Sequence, residues 1–347
     1  MKTEVYSPTI RRKEMAAVLT AMVEEKIGPG EQAKFLVHTA KEKLVFEYCL
    51  ALRSPVIALQ LALKALGLER GQAVVVSALS PLYCKRVIED LGLVPLYCDV
   101  LPSSVCIGRE TIEKALAAKP ELDARCIVLH HTLGYLCDAE GIAELGIPII
   151  EDSSQCYGTF IGSPEEPFPT GTSALFTILG LEERNMLTAG GGALLYSANR
   201  RDAAVLRGLG DLPPEYGLPD MNAALAVVQF REAEKNLLKR KEIAALYAQA
   251  VQRTRHKRFI PNGAEYNNYA FPVILETGVK DVKAYARRKE VAVESAFDNT
   301  PVGCGMVPPE QCPEAYSLSL RTVLFPLYPR LSKADAGKVA KILMTLP

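Results

Sequence analysis

The sequence predicts an α/β fold: a large domain built on a mostly parallel sheet with helices on both faces, then a smaller C-terminal α+β domain. Three observations predict it. From about residue 54 onward, short β-branched apolar runs alternate with helical patterns, the order of strand–helix–strand units. Runs such as AVVVSAL (73–79) are apolar but for Ser77, as in strands covered on both faces. Residues 220–254 then form one long helical pattern rich in Ala, Lys and Glu, after which strand and helix signals resume on a smaller scale. The division is expected near residue 235, giving an N-terminal segment and large domain over 1–235 and a small domain over 236–347.

Residues 11–25 have the periodicity of an amphipathic helix, which Gly28-Pro29-Gly30 ends. SPVIALQLALKALGLERG (54–71) reads as a helix finishing near Gly67, with Pro55 well suited to its first turn. PLYCKRVIEDLG (81–92) is a helix and VPLYCDV (94–100) a strand. CIVLHH (126–131), IPIIED (147–152) and ALLYSA (193–198) are further strands, with a short helix around 138–145. GGG (190–192) lacks the strand–loop–helix context of a nucleotide loop and reads as a tight turn. PEEPFPTG (164–171) is a proline-rich loop. YAFPVILE (269–276) is a strand, followed by helices over about 279–288 and from Ser332.

Composition excludes several classes. The 347 residues carry 40 basic and 40 acidic side chains, which leaves no electrostatic footprint for nucleic acid or an anionic membrane. The N-terminus has no apolar signal region and the chain no run long enough to span a bilayer. The nine cysteines stand singly without metal-ligand spacing, as expected of reduced, mostly buried thiols in a cytoplasmic protein. His130 and His131 are strand neighbours pointing to opposite faces, so they make no metal pair. The basic cluster at 239–241 with Arg253, Arg255, His256, Lys257 and Arg258 reads as a solvated helix face and helix end.

IIEDSSQCYG (149–158) resembles the "EDxAQxxG" segment of the DegT/StrS sugar aminotransferases, which are fold-type-I pyridoxal-phosphate enzymes. The resemblance runs almost end to end. IGPGEQAKFL (27–36) is similar to the family's entry segment, HTLG (131–134) to the turn before its central helix, and TAGGGALLYS (188–197) to its "GEGG" turn and strand. LGDLPPEYGLPDMNAALAVVQF (209–230) is similar to the opening of its long helix, and VLFPLYPRLS (323–332) to its "LPLYPxLS" signature. The resemblance implies a fold-type-I aminotransferase-like large domain, a homodimer sharing its pockets, and a nucleotide sugar as substrate.

It also implies cofactor-binding positions. Asp152 stands where a carboxylate faces the pyridine nitrogen, and strand carboxyl ends are where open parallel sheets bind ligands. Gln155 matches a residue near the cofactor's phenolic oxygen, and Thr177 keeps a hydroxyl where the family has serine. Ser54 opens the phosphate-side segment, Ser54-Pro55-Val56, in place of Ser-Gly-Thr. Proline brings no N–H and valine no hydroxyl. The partner-subunit "NxR" segment reads Glu215-Tyr216-Gly217, and the loop Ala78-Leu79-Ser80-Pro81 lacks the stacking aromatic.

Transamination requires a lysine that forms an imine with the cofactor's aldehyde and then moves the proton. Counting back from Gly192, that position falls on Arg184, with Glu182 and Glu183 beside it. No lysine occurs between Lys119 and Lys235, and an arginine stays protonated and is a poor nucleophile. No catalytic residue is therefore assigned. Three readings follow: a non-catalytic homologue in nucleotide-sugar or polysaccharide metabolism, an aminotransferase or dehydratase that works without the lysine through pyridoxamine phosphate or a base such as Glu183, and a partner subunit that pairs with an active relative.

Overall fold

The computed structural model describes residues 2–162, 167–168, 173–261 and 264–347. Helices are α1 (Arg12–Val23), α2 (Glu31–Lys41), α3 (Pro55–Ala65), α4 (Leu82–Asp90), α5 (Arg109–Ala118), α6 (Ala139–Ala143), α7 (Arg200–Arg207), α8 (Asp220–Val251), α9 (Val279–Arg288), α10 (Pro313–Arg321) and α11 (Lys333–Met344). Strands are β1 (Tyr48–Leu52), β2 (Ala73–Ser77), β3 (Val94–Cys98), β4 (Ala124–His130), β5 (Ile149–Asp152), β6 (Phe160–Gly162), β7 (Pro167–Phe168), β8 (Phe176–Gly180), β9 (Ala193–Ser197), β10 (Ala264–Glu265), β11 (Phe271–Ile274), β12 (Glu294–Ser295) and β13 (Thr322–Phe325).

Seven strands form the main sheet in the order β1-β9-β8-β5-β4-β2-β3. Strands β8, β5, β4, β2 and β3 run parallel, while β9 and β1 are antiparallel to their neighbours. The alternation of side chains along each strand sends them into two cores. Val74, Val76, Cys126, Val128 and Ile150 pack beneath α3 and α4 on one face. Ala73, Val75, Ile127, Leu129 and Ile149 pack on the other, where Ala315 and Leu318 of α10 join them. This is why the strands read as continuous apolar runs: neither face meets water.

The expected helices and strands are present within a few residues of their expected ends. The GGG turn is real and stereochemically specific. Gly190, Gly191 and Gly192 all have positive φ, and a Cβ on Gly192 would lie 2.4 Å from Leu218 Cδ1. The proline-rich stretch falls largely outside the described residues, but Pro167–Phe168 within it pairs with β6 as a short strand rather than a plain loop.

The long helix α8 spans both regions. Its first half packs Ala223, Ala226 and Phe230 against α2, β8 and β9. Its second half packs Ile243, Tyr247 and Val251 against the three-stranded sheet β11-β13-β12 and helices α9 and α11. Yet Phe297, Val302, Cys312 and Leu318 return to the main sheet's core, so the cores do not divide at a single point in the chain.

Helix α2 illustrates how local signals are completed from a distance. Its N-cap is Gly30, which has no side-chain oxygen. Asp220, at the start of α8, substitutes for it: the N–H groups of Gln32 and Ala33 donate to its carboxylate at 3.1 and 2.9 Å. A Cβ at Gly30 would come within 2.8 Å of Asp220 Oδ2, so glycine gives the carboxylate room. Asp220→Ala is expected to cost about 1 kcal/mol, the usual loss of a capping oxygen. Urea melts should show a lowered midpoint with unchanged m; an unmoved midpoint would mean water caps α2 equally well.

Candidate active site

The carboxyl ends of β4 and β5 put His130 and Asp152 side by side in register. Both face the α3–α4 side of the sheet, with Ile178 of β8 as the next neighbour. The starts of α3 and α4, which follow edge strand β1 and central strand β2, reach the same place: Pro55 and Tyr83 both line it. Together they enclose a cavity of about 300 Å³ whose walls include Pro55, Tyr83, His130, Asp152, Gln155, Glu182, Arg184 and Tyr269. A larger groove of about 530 Å³ lies beside edge strand β3, lined in part by Lys114, Glu110 and Glu314. It is away from the central strand ends, and the convergence of polar groups marks the smaller cavity as the site.

Asp152 is the most densely bonded group there. Its Oδ2 accepts the Tyr83 hydroxyl at 2.6 Å. Its Oδ1 accepts the Ser154 N–H at 3.0 Å and the Ser154 hydroxyl. His130 Nδ1 lies 3.2 Å from Oδ2, off the hydrogen-bond axis. Burial alone would raise the Asp152 carboxyl, but the charge and dipole of His130 and the donors on Ser154 and Tyr83 outweigh it and hold it well below the usual carboxylate range. Burial, reinforced by the Asp152 charge, pushes the Tyr83 phenol far up, so it remains a donor.

The other face of the sheet carries a separate pair. His131 Nε2 meets Glu151 Oε1 at 2.8 Å, while its Nδ1 accepts the Cys137 N–H at 3.1 Å. That second bond leaves Nδ1 as the acceptor and Nε2 as the donor. The adjacent histidines thus serve carboxylates on opposite faces, and among the described residues no cluster of His, Cys, Asp and Glu could hold a metal ion. All nine cysteines are free and only Cys304 is exposed.

The expected cofactor positions are only partly brought together. Asp152 and Gln155 line the cavity, but Gln155 Oε1 accepts the N–H of Leu133 at 2.6 Å. It thereby holds the turn in which Leu133 has φ 55°. Ser54 lies just behind the wall formed by Pro55 and caps α3, its Oγ accepting from Ile57 N at 3.3 Å. Thr177 is fully buried on the opposite face, in register with Glu151 and Tyr196. An odd strand position next to Ile178 cannot share the side of Asp152, so Thr177 does not reach the cavity.

The segment at the lysine position is tied down elsewhere. Arg184 makes a two-point pair with Glu294 of β12, at 2.7 and 3.3 Å, and the Tyr6 hydroxyl donates to the carbonyl of Glu183. Glu183 itself is exposed and outside the cavity wall; the carboxylate that reaches the wall is Glu182, which burial pushes upward in pKa. The 239–241 cluster also differs from expectation. Lys239 and Lys241 pair with Glu242 and Glu265, but Arg240 is buried rather than solvated, its Nη1 within hydrogen-bond reach of the carbonyls of Asn268, Tyr269 and Leu327.

Sequence reasoning missed Tyr83, His130, Ser154 and Tyr269. An aromatic does stand two residues past the 78–81 loop, Tyr83 in the first turn of α4, but its hydroxyl ends on Asp152. Its position at the start of a helix following a central parallel strand was the available signal.

The model of the DegT/DnrJ/EryC1/StrS aminotransferase family matches residues 8–344. The chain belongs to that family. Solved aminotransferase structures share its fold over nearly the whole length. The aminotransferase TlmJ from Streptoalloteichus hindustanus is 21% identical with a TM-score of 0.87, covering 99% of this chain and 98% of that one. The putative sugar aminotransferase Spr1654 from Streptococcus pneumoniae, in its PLP form, is 18% identical with the same TM-score and coverage. A PMP form of the same protein has a TM-score of 0.86. An L-glutamine:2-deoxy-scyllo-inosose aminotransferase from Streptomyces fradiae is 28% identical over 165 residues, which are 46% of this chain and 36% of that relative.

Pyridoxal phosphate is the cofactor that this family membership implies. The residues present here do not fit it in the family's manner. A carboxylate offers about four acceptor positions; protein donors fill three on Asp152 and His130 faces the fourth. A pyridinium N–H would have only that fourth position, which His130 Nδ1 crowds at 3.2 Å. At the start of α3, Pro55 has no N–H and that of Ile57 is already given to Ser54, which leaves Val56 as the first-turn donor for a phosphate. No lysine lines the cavity among the described residues.

Proposed function

We propose that this chain is a non-catalytic member of the DegT/DnrJ/EryC1/StrS family, serving nucleotide-sugar or polysaccharide metabolism by binding rather than by transamination. The observation that carries the reading is the lysine-free segment: by count from Gly192 the position falls at or near Arg184, which is paired with Glu294. A guanidinium remains protonated and forms no imine. A nucleotide sugar or another small anionic ligand fits the family's substrate class, and the free thiols suit a cytoplasmic setting. A protein partner, either a second copy or a lysine-bearing relative, is supported by the apolar side chains that α1 leaves exposed: Met15, Leu19, Met22 and Val23.

One observation favours a second reading. Glu182 lies in the cavity wall with its carboxyl raised by burial, the property of a general base for an aminotransferase or dehydratase that receives pyridoxamine phosphate from outside. Both readings meet one experiment. The chain is incubated with pyridoxal phosphate, reduced with borohydride and digested for mass spectrometry, with absorbance recorded throughout. The non-catalytic reading expects no stoichiometric yellow complex and only scattered surface-lysine adducts. A tight complex, or amine transfer to a nucleotide keto-sugar with either form of the cofactor, would overturn it.

A further inference from the structure

The chain itself fills three acceptor positions of Asp152, and one of the donors is the hydroxyl of an aromatic side chain. Resting on the reading that this chain does not use pyridoxal phosphate, we propose that Tyr83 is an internal occupant of the cofactor's place. Its ring fills the space in front of Asp152, and its hydroxyl supplies the hydrogen bond that a pyridinium nitrogen would supply.

Three observations carry this. First, a ring nitrogen bonded to Asp152 must come within about 3 Å of a carboxylate oxygen, and the atom at that distance on Oδ2 is the Tyr83 hydroxyl, at 2.6 Å. A carboxylate oxygen can accept from two donors, but a second ring at Oδ2 would have to keep about 3.5 Å from every atom of the Tyr83 ring and fit beside His130 Nδ1, which already lies 3.2 Å from that oxygen. Second, the placement is built rather than incidental. Pro81 precedes α4 with φ −60° and ψ 143°, which starts the helix immediately after β2 and puts Tyr83 in its first turn, over the ends of β4 and β5. Third, the substitution is chemically complete. A neutral phenol donating to a buried carboxylate gives a charge-assisted hydrogen bond, and with the two donors of Ser154 it gives Asp152 three protein hydrogen bonds without any outside cation.

A stacking role for Tyr83 is a different geometry. A ring that sandwiches a cofactor lies alongside it, face to face, and leaves the carboxylate free for the cofactor's nitrogen. Tyr83 instead ends on the carboxylate, so it competes with that nitrogen rather than supporting it.

The test uses the full-length chain and pyridoxine phosphate, which carries the ring, its nitrogen and the phosphate but no aldehyde to react with surface lysines. Ligand-observed NMR reads binding even at millimolar affinity. Wild type and Tyr83→Phe, which keeps the ring, are expected to show no saturable binding. Tyr83→Ala is expected to bind at least about ten-fold more tightly than either, and adding Asp152→Asn to it is expected to remove the gain. Thermal melts check folding; should the alanine variant not fold, Tyr83→Ser opens the same space while keeping a small polar group at the helix start. Binding by wild type equal to that of the opened variant would overturn this proposal, whereas the non-catalytic reading falls only with a tight pyridoxal-phosphate complex or amine transfer. No binding by either would overturn Tyr83 as the occupant while leaving the non-catalytic reading standing. Binding by Tyr83→Phe equal to that of the opened variant would also overturn it, since the ring would then not be what fills the place.

Discussion

Asp152→Asn is expected to destabilise the fold by about 3–5 kcal/mol, the range for breaking a buried charged network by changing one partner. The Tyr83 hydroxyl, the Ser154 hydroxyl and the Ser154 N–H all donate to this carboxylate. An asparagine keeps one acceptor oxygen and turns an N–H₂ toward a donor, so at least one buried group loses its partner. The same substitution should alter the acid limb of stability. Asp152 is held below its ordinary value in the folded chain, so the stability it contributes is present above the unfolded carboxyl value of about 3.9 and is lost as pH falls below it toward the folded value. Urea unfolding followed from pH 7 down to pH 3 should show wild type losing stability more steeply than Asp152→Asn below about pH 4. Equal slopes would show that Asp152 is not held down by its neighbours.

Arg240→Met is expected to cost roughly 3 kcal/mol. Arg240 is 4% exposed, and its Nη1 serves the carbonyls of Asn268, Tyr269 and Leu327 at 3.3, 2.8 and 3.1 Å. No carboxylate pairs with it among the described residues, and burial lowers its pKa. Methionine preserves much of the apolar stem but returns no donor, so three carbonyls lose their common partner. The damage should be local as well as global. Asn268 has φ 54°, a conformation that non-glycine residues hold only when neighbours enforce it, and Tyr269 forms part of the cavity wall. Hydrogen exchange over residues 265–270 should accelerate in the variant beyond what the global loss explains. A loss below about 1 kcal/mol with unchanged exchange would mean that water replaces the guanidinium.

The elements legible in the sequence were those with a strong short-range pattern. Val279–Arg288 was expected at its observed bounds because charged and apolar residues alternate with helical period. The Ala/Lys/Glu run of α8 and the β-branched run of β2 were readable for the same reason. Strand β1 was not: Tyr48–Leu52 is mostly half-buried at the sheet edge, and its strand character comes from pairing with β9. Arg240 was misjudged because a helix face carrying Lys239 and Lys241 looks solvated until the loop at 268–269 is laid over it.

The site divides in the same way. The sequence by itself determined the family scaffold, the carboxylate at the end of the central strand, and the absence of a lysine from the segment that should bring one. These are properties of residue identity and spacing, and no packing can alter them. Only the tertiary structure decided what Asp152 binds, that Gln155 serves a turn, and that Thr177 faces away. Tyr83 comes from the first turn of α4 and His130 and Asp152 from the ends of β4 and β5, so their meeting depends on sheet order and register. A carboxylate read in sequence has unspent acceptors, and folding is what assigns them.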